Sequence, residues 1–274
     1  MMKQIVSKTV KFIKNPRKYV PLAMKVTQQQ MCYFFHDASF FMQGQMDINA
    51  KSRWNNPDFV ELTGGYFPRF NKVSRQICDL EPWDNTRRDM MILLLRTMTE
   101  SDIKGDFVEV GVYKGFTAKL IHYYAPERVL HLFDTFQGFT EKAVGPEQQY
   151  TNKSISASDF ADTSLDAVKR YIGPKNNNVF FYKGFFPASI PDGFGDLRFA
   201  FVHLDADLYE STLQGLKFFY PRMSLNGMIL VHDYNSWPGA RKAVDEFFVK
   251  KKELPIPMPD KSGSALIVKQ ADFA

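Results

Sequence analysis

The sequence predicts a doubly wound α/β fold, a mainly parallel sheet with helices on both faces, behind a helical N-terminal extension. Three observations carry that expectation. From Phe107 onward, short apolar runs alternate with helix-like stretches, the pattern of right-handed βαβ crossovers. A glycine-bearing turn, Glu109-Val110-Gly111-Val112-Tyr113-Lys114-Gly115-Phe116-Thr117, stands between the first strand and first helix of that series. Two later apolar runs end abruptly in polar side chains, 199–204 in Asp205-Ala206-Asp207 and 228–231 in His232-Asp233. Buried parallel strands read as continuous apolar runs, and open α/β sheets bind ligands at the carboxyl ends of such strands.

Each element follows in order. Residues 31–100 read as mostly helical, with Gly64-Gly65 and Pro68 marking a loop and an apolar-rich helix over 89–97. A strand over 107–110 leads through the glycine turn to a helix over 116–124 and a second strand over 129–133. The polar stretch 140–159 reads as an excursion over the surface, followed by a helix over 164–172 and a third strand over 179–182. Strands over 199–204 and 228–231 enclose a helix over 212–219, and a helix over 239–251 precedes a closing strand over 265–268. The chain thus divides into a basic arm (1–30), a helical or lid region (31–100) and the α/β domain (101–274).

Composition narrows the function classes. A hydrophobic share of 45% and 26 Phe in 274 residues suffice for a well-filled core. No run reaches the length of a membrane span and no secretory signal is visible, while two cysteines, Cys32 and Cys78, are too few for a disulfide framework or a zinc cluster. A cytoplasmic, reduced protein is expected. The net charge of +5 is uneven: seven of the 35 Lys and Arg residues lie in 1–30 without one acid, leaving 28 bases against 30 acids. In that arm Ile5, Val6, Val10, Phe12 and Ile13 share one side of a helix that Pro16 ends. Such a helix can touch an anionic membrane surface, dock on the protein's own body, or stay solvated. Nucleic acid is not expected as a partner, because no basic patch recurs in the body.

The glycine turn lets backbone approach a ligand and offers free N–H groups at a helix start. Val112 stands where a dinucleotide fingerprint needs a second glycine, so a smaller carboxylate-bearing group such as methionine suits it better than pyrophosphate. Asp134 ends the second strand 23 residues beyond Gly111, close to the spacing at which an acid meets ribose hydroxyls. Together the two motifs predict an adenosine-containing ligand. Asp205 and Asp233, at the ends of neighbouring strands, suit a hard divalent cation, with Asp207 facing the same crevice as a base. The plain alternatives are helix capping by Asp207 and turn formation by Asp233.

These residues resemble the macrocin O-methyltransferase family of metal-dependent sugar methyltransferases. The resemblance rests on Glu109 to Gly115, on Asp134-Thr-Phe-Gln-Gly-Phe139, and on His203-Leu-Asp-Ala-Asp-Leu-Tyr-Glu-Ser-Thr212. Tyr220 to Gly227, His232-Asp-Tyr234 and Pro238 to Phe247 continue it. It implies a Rossmann-like fold, S-adenosyl-L-methionine (SAM) as methyl donor, a sugar or glycosylated small molecule as acceptor, and a homodimer. It places Glu109, Gly111, Tyr113, Gly115 and Thr117 around the methionine moiety, Asp134 at the ribose, and Gly184 and Phe185 beside the adenine. Asp162 to Ser164 would border the adenine too. Asp205, also at the cofactor, would hold Mg²⁺ with His232 and Asp233, and Asp207 would be the general base. His232 stands where many members carry an acid, which favours Mn²⁺ over Mg²⁺ or makes it a neighbour of the metal rather than a ligand. Catechol-type methyltransferases share the glycine motif, but their lysine base falls where this chain has Leu208, so an aromatic diol is the alternative acceptor. A nicotinamide oxidoreductase would keep an acid like Asp134 yet lacks its glycine pattern here.

Overall fold

A computed structural model of the chain describes residues 84–151, 154–173 and 177–271. The basic arm, the Gly64-Gly65 loop and both cysteines lie outside the described residues. Helix α1 (Asn85–Glu100) leads into β1 (Asp106–Val110), α2 (Phe116–Tyr124), β2 (Leu130–Asp134), α3 (Glu141–Glu147), α4 (Leu165–Ile172) and β3 (Val179–Lys183). Then come β4 (Phe199–Leu204), α5 (Tyr209–Phe219), β5 (Met223–Val231), α6 (Pro238–Phe248), β6 (Ile256–Pro257) and β7 (Ala265–Val268).

Among the described residues these strands form one sheet in the order β3-β2-β1-β4-β5-β7-β6. The first five are parallel, and β7 runs antiparallel between β5 and β6. The doubly wound fold is therefore present. Its strand order reverses between β1 and β4, which opens a crevice at their carboxyl ends.

Three elements depart from the sequence expectation. Helix α3 lies inside the stretch read as an irregular excursion; Gly145 and Pro146 suggest a loop, yet Thr140 caps the helix by accepting the Ala143 N–H. Strand β5 begins at Met223 rather than at 228, across polar residues that have no apolar signal. The two-residue β6 carries Pro257, which only a sheet edge tolerates.

Alternation along the strands builds a core on each face. Phe107, Leu132, Phe201 and Leu230 meet α1, α2 and α4, with Met91, Leu95 and Met98 of α1 fully inside that cluster. Val108, Phe133, Val202 and Ile229 meet α5 and α6. On the second face Phe219 lies against Phe199 (5.1 Å between ring centroids) and Phe186 (5.7 Å), so aromatic rings pack as a layer there.

Candidate active site

A cavity of about 240 Å³ opens over the carboxyl ends of β1, β2, β4 and β5. It is lined by Gly111, Tyr113, Thr117, Asp134, Gly184, Phe185, Asp205, Asp207, His232 and Asp233, so the structure brings ten of the twelve expected site residues together. Glu109 and Gly115 are absent from the lining. Gly115 instead starts α2 with φ of 82°, and a side chain there would meet Val168 of α4.

The glycine turn and the first acid strand are joined through backbone. Asp205 donates its N–H to the Val110 carbonyl (2.8 Å), bringing the ends of β1 and β4 into contact. A Cβ on Gly111 would stand 2.0 Å from the Asp205 carbonyl oxygen, and its φ of 89° disfavours any side chain as well. On the β2 side, Asp134 accepts the N–H groups of Val112 (2.7 Å) and Tyr113 (2.8 Å) on one oxygen and that of Phe136 on the other. Thr135 Oγ1 also stands 3.5 Å from that second oxygen but has the Gly138 carbonyl at 2.6 Å for its single proton, so of a carboxylate's roughly four acceptor positions about one remains for a ligand hydroxyl. Asp162 reaches the turn from outside: it accepts from the Tyr113 hydroxyl and from Lys114 Nζ (2.7 Å), and Thr163 Oγ1 donates to the Tyr113 carbonyl.

Glu109 is directed away from the cavity by the pleat. It pairs in register with His203 across β1 and β4, and both side chains are fully buried on the α1 face. Glu109 Oε1 accepts from Thr117 Oγ1 and from His203 Nδ1 (2.8 Å). His203 Nε2 faces the guanidinium of Arg87 at 3.3 Å, and that group can only donate, so the ring proton sits on Nδ1. Arg87 then ion-pairs with Asp205 Oδ2 (2.5 Å). A polar chain therefore runs from the start of α2 through Glu109, His203 and Arg87 to the end of β4. Sequence reasoning missed Arg87. A signal existed: Arg87 and Arg88 occupy the first turn of α1 against the helix dipole, and whereas Arg88 pairs with the adjacent Asp89, Arg87 reaches a partner outside the helix.

The acids form the second half of the cavity. Asp207 and Asp233 both hold left-handed backbone, φ of 57° and 59°. Such conformations cost on the order of 1–3 kcal/mol and gather at functional sites. Asp207 sits at the centre of a three-residue turn in which Leu208 N–H donates to the Ala206 carbonyl. Helix α5 has Leu208 as its N-cap without a side-chain cap, so Asp207 does not spend its carboxylate on capping. Asp233 does take part in a turn: its Oδ1 accepts from Ser236 Oγ and its carbonyl accepts the Trp237 N–H.

His232 Nδ1 lies 2.7 Å from Asp205 Oδ1 and 3.2 Å from Asp233 Oδ2. Close as it is, this buried nitrogen lacks the direction of a hydrogen bond to either oxygen. Burial opposes charge on all these groups, but mutual attraction prevails for three of them. The charges of His232 and Arg87 hold Asp205 well below the usual carboxylate range. The nearby Asp205 carboxylate lifts His232 to about 10, and the charged imidazole beside it draws Asp233 down to about 2. Asp207 goes the other way. Its burial, its hydrogen bond to Asp233 and the charges of Asp205 and Asp233 raise it well above the ordinary range. Two facing acids whose affinities for a proton are driven apart are a common mark of acid–base chemistry.

A glycine turn and an acid cluster meeting at the switch point of a parallel sheet define a ligand-binding α/β protein. The macrocin-O-methyltransferase family model (TylF) matches residues 84–265, and the chain belongs to that family. It is 28% identical over 159 residues to demethyldecarbamoylnovobiocin O-methyltransferase of Streptomyces niveus, covering 55% of this chain and 60% of that protein. It is 29% identical over 173 residues to 8-demethyl-8-(2,3-dimethoxy-alpha-L-rhamnosyl)-tetracenomycin-C 4'-O-methyltransferase of Streptomyces olivaceus, covering 59% and 64% of the two chains. The matches thus span less than two thirds of these relatives. The O-methyltransferase NovP has the same fold, with a TM-score of 0.57 at 24% identity over 68% of this chain and 80% of its own. Among the described residues no helix is long and apolar enough to cross a membrane.

Proposed function

We propose that the protein is a SAM-dependent O-methyltransferase that methylates a hydroxyl of a sugar or glycosylated small molecule, with a divalent cation and Asp207 as general base. The observation that carries the proposal is the meeting of the glycine turn with Asp205, Asp207, His232 and Asp233 in one cavity. Family membership and the rhamnosyl-bearing substrate in one relative's name support the donor and the acceptor class.

The donor set fits a cation. Ligand atoms of Asp205, His232 and Asp233 lie within 4.8 Å of one another, and His232 Nδ1 is a buried atom between two carboxylates without a directed hydrogen bond. Two carboxylates and an imidazole that gives up its Nδ1 proton to make room for the ion suit Mg²⁺ or Mn²⁺. When bound, the cation would acidify one hydroxyl of a diol and offset the negative charge around Asp207.

The chain's own residues do the rest. Gly111 and Thr117 border the space for the methionine moiety, and Asp134 has room to accept one ribose hydroxyl. Gly184 and Phe185 border the adenine. Arg87 holds Asp205 Oδ2 and leaves Oδ1 facing His232. Asp207 takes the acceptor's hydroxyl proton as the new C–O bond to the methyl forms and the sulfonium C–S bond breaks.

Thermal unfolding with SAM, with NAD or with neither, each with Mg²⁺ or chelator, tests the proposal. Saturating SAM at 100 times its dissociation constant should add about 2.7 kcal/mol, and methyl transfer to sugar acceptors should then require the cation. Stabilisation by NAD and none by SAM would overturn it.

A further inference from the structure

Glu147 is a buried carboxylate at the last turn of α3, and the chemistry above leaves it unused. Its Oε2 accepts the N–H of Tyr209 (2.8 Å), the first residue of α5. That helix has no side-chain cap of its own, since Leu208 occupies the N-cap. The missing cap therefore comes from a residue 62 positions earlier in the chain. Glu147 Oε1 is buried without a hydrogen-bond partner and rests against Gly239, in the first turn of α6, which also lacks a side-chain cap. One carboxylate thus stands between the positive ends of two helices. Burial raises its proton affinity and the Tyr209 N–H opposes that.

The two helices follow the two strained acids. Asp207 lies two residues before Tyr209, and Asp233 shortly precedes α6. The same α3 segment contributes Thr140 and Ala143 to the cavity lining, and Tyr150 packs on Tyr209 with ring centroids 4.9 Å apart.

We propose that Glu147 is a positioning residue: from the end of α3 it holds the turn that carries Asp207 in its left-handed conformation. The catalytic half of the inference rests on the methyltransferase proposal; the holding of the turn does not.

Two variants attack the same contact from opposite sides. Glu147→Ala removes the acceptor. Gly239→Ala puts a methyl 1.9 Å from the position of Glu147 Oε1, and because that atom ends a flexible side chain the carboxylate can swing out while the fold persists. Alanine is also the better helix former, so intrinsic propensity favours this variant. Both should speed hydrogen exchange of the Tyr209 amide by about 10–100-fold, the range of a charge-assisted hydrogen bond. Both should lower kcat by about 10–100-fold, as a displaced catalytic group does, with SAM affinity kept within about twofold. Glu147→Gln keeps an acceptor oxygen and should recover most of the turnover. Unchanged Tyr209 exchange in both alanine variants overturns the inference, whether or not the wild type transfers methyl groups. So does a parallel fall in SAM affinity and kcat, which would mark a general loss of structure. An inactive wild type with normal Tyr209 protection would overturn the methyltransferase proposal alone.

Discussion

Two buried polar pairs lie near the carboxyl ends of the central strands, Glu109–His203 within β1 and β4 and Asp207–Asp233 just beyond β4 and β5, and they behave oppositely. Glu109 and His203 point into the packed α1 face, where Thr117 and Arg87 complete their bonding and the backbone is ordinary strand. Asp207 and Asp233 point into the cavity from turns with positive φ, and their proton affinities are driven apart. Both pairs contain buried carboxylates; their place relative to the strands differs. A polar pair facing a helix supports the structure, whereas one beyond the strand ends, in open space, is available for chemistry.

Substitution should separate the pairs clearly. Asp207→Asn should lower kcat by about 10²–10⁴-fold, the usual range for a lost general base, with SAM affinity measured by calorimetry unchanged. Full activity would place the base elsewhere. Glu109→Ala should act chiefly on stability, costing roughly 3–5 kcal/mol in denaturant unfolding, because the other members of a buried polar chain lose their partner. An unaltered unfolding midpoint with lost SAM binding would move Glu109 to the catalytic side of the comparison. Arg87→Met tests the link between the pairs. Loss of its charged hydrogen bond to Asp205, about 1.5–3 kcal/mol, should appear as roughly tenfold or more in turnover at fixed Mg²⁺. Thr117→Val should be mildest, about 1 kcal/mol of stability, since Glu109 keeps His203.

The alternation of strands and helices was legible because each buried strand is a continuous apolar run, and the acids at strand ends were legible because they break those runs. Glu109 looked like part of the cofactor turn because it directly precedes Gly111 by two positions; counting alternate residues from Val108, whose side chain joins the α5 and α6 face, would have sent it to the opposite face. Arg87 and Glu147 were harder. Their contacts, 118 and 62 residues away in sequence, are made by the winding of the sheet, and no local spacing encodes such pairs. The one hint for Glu147 lies at its destination, a helix beginning after Leu208 with no capping side chain. Helix α3 was hidden by Gly145-Pro146, whose turn propensity is overridden by the Thr140 cap and by the anchoring of its final residue.

The tie between Arg87 and Asp205 bears on how small a working piece of this chain can be. A fragment begun at residue 101, where the strand–helix alternation sets in, would possess every strand of the sheet and every acid of the cavity. It would nonetheless uncover the places of Met91, Leu95 and Met98 in the first core and leave Asp205 without its guanidinium. The boundary of the folded unit is drawn by a helix that belongs to none of the βα repeats, and trimming toward the recognisable motif would remove the brace before reaching the acids of the cavity.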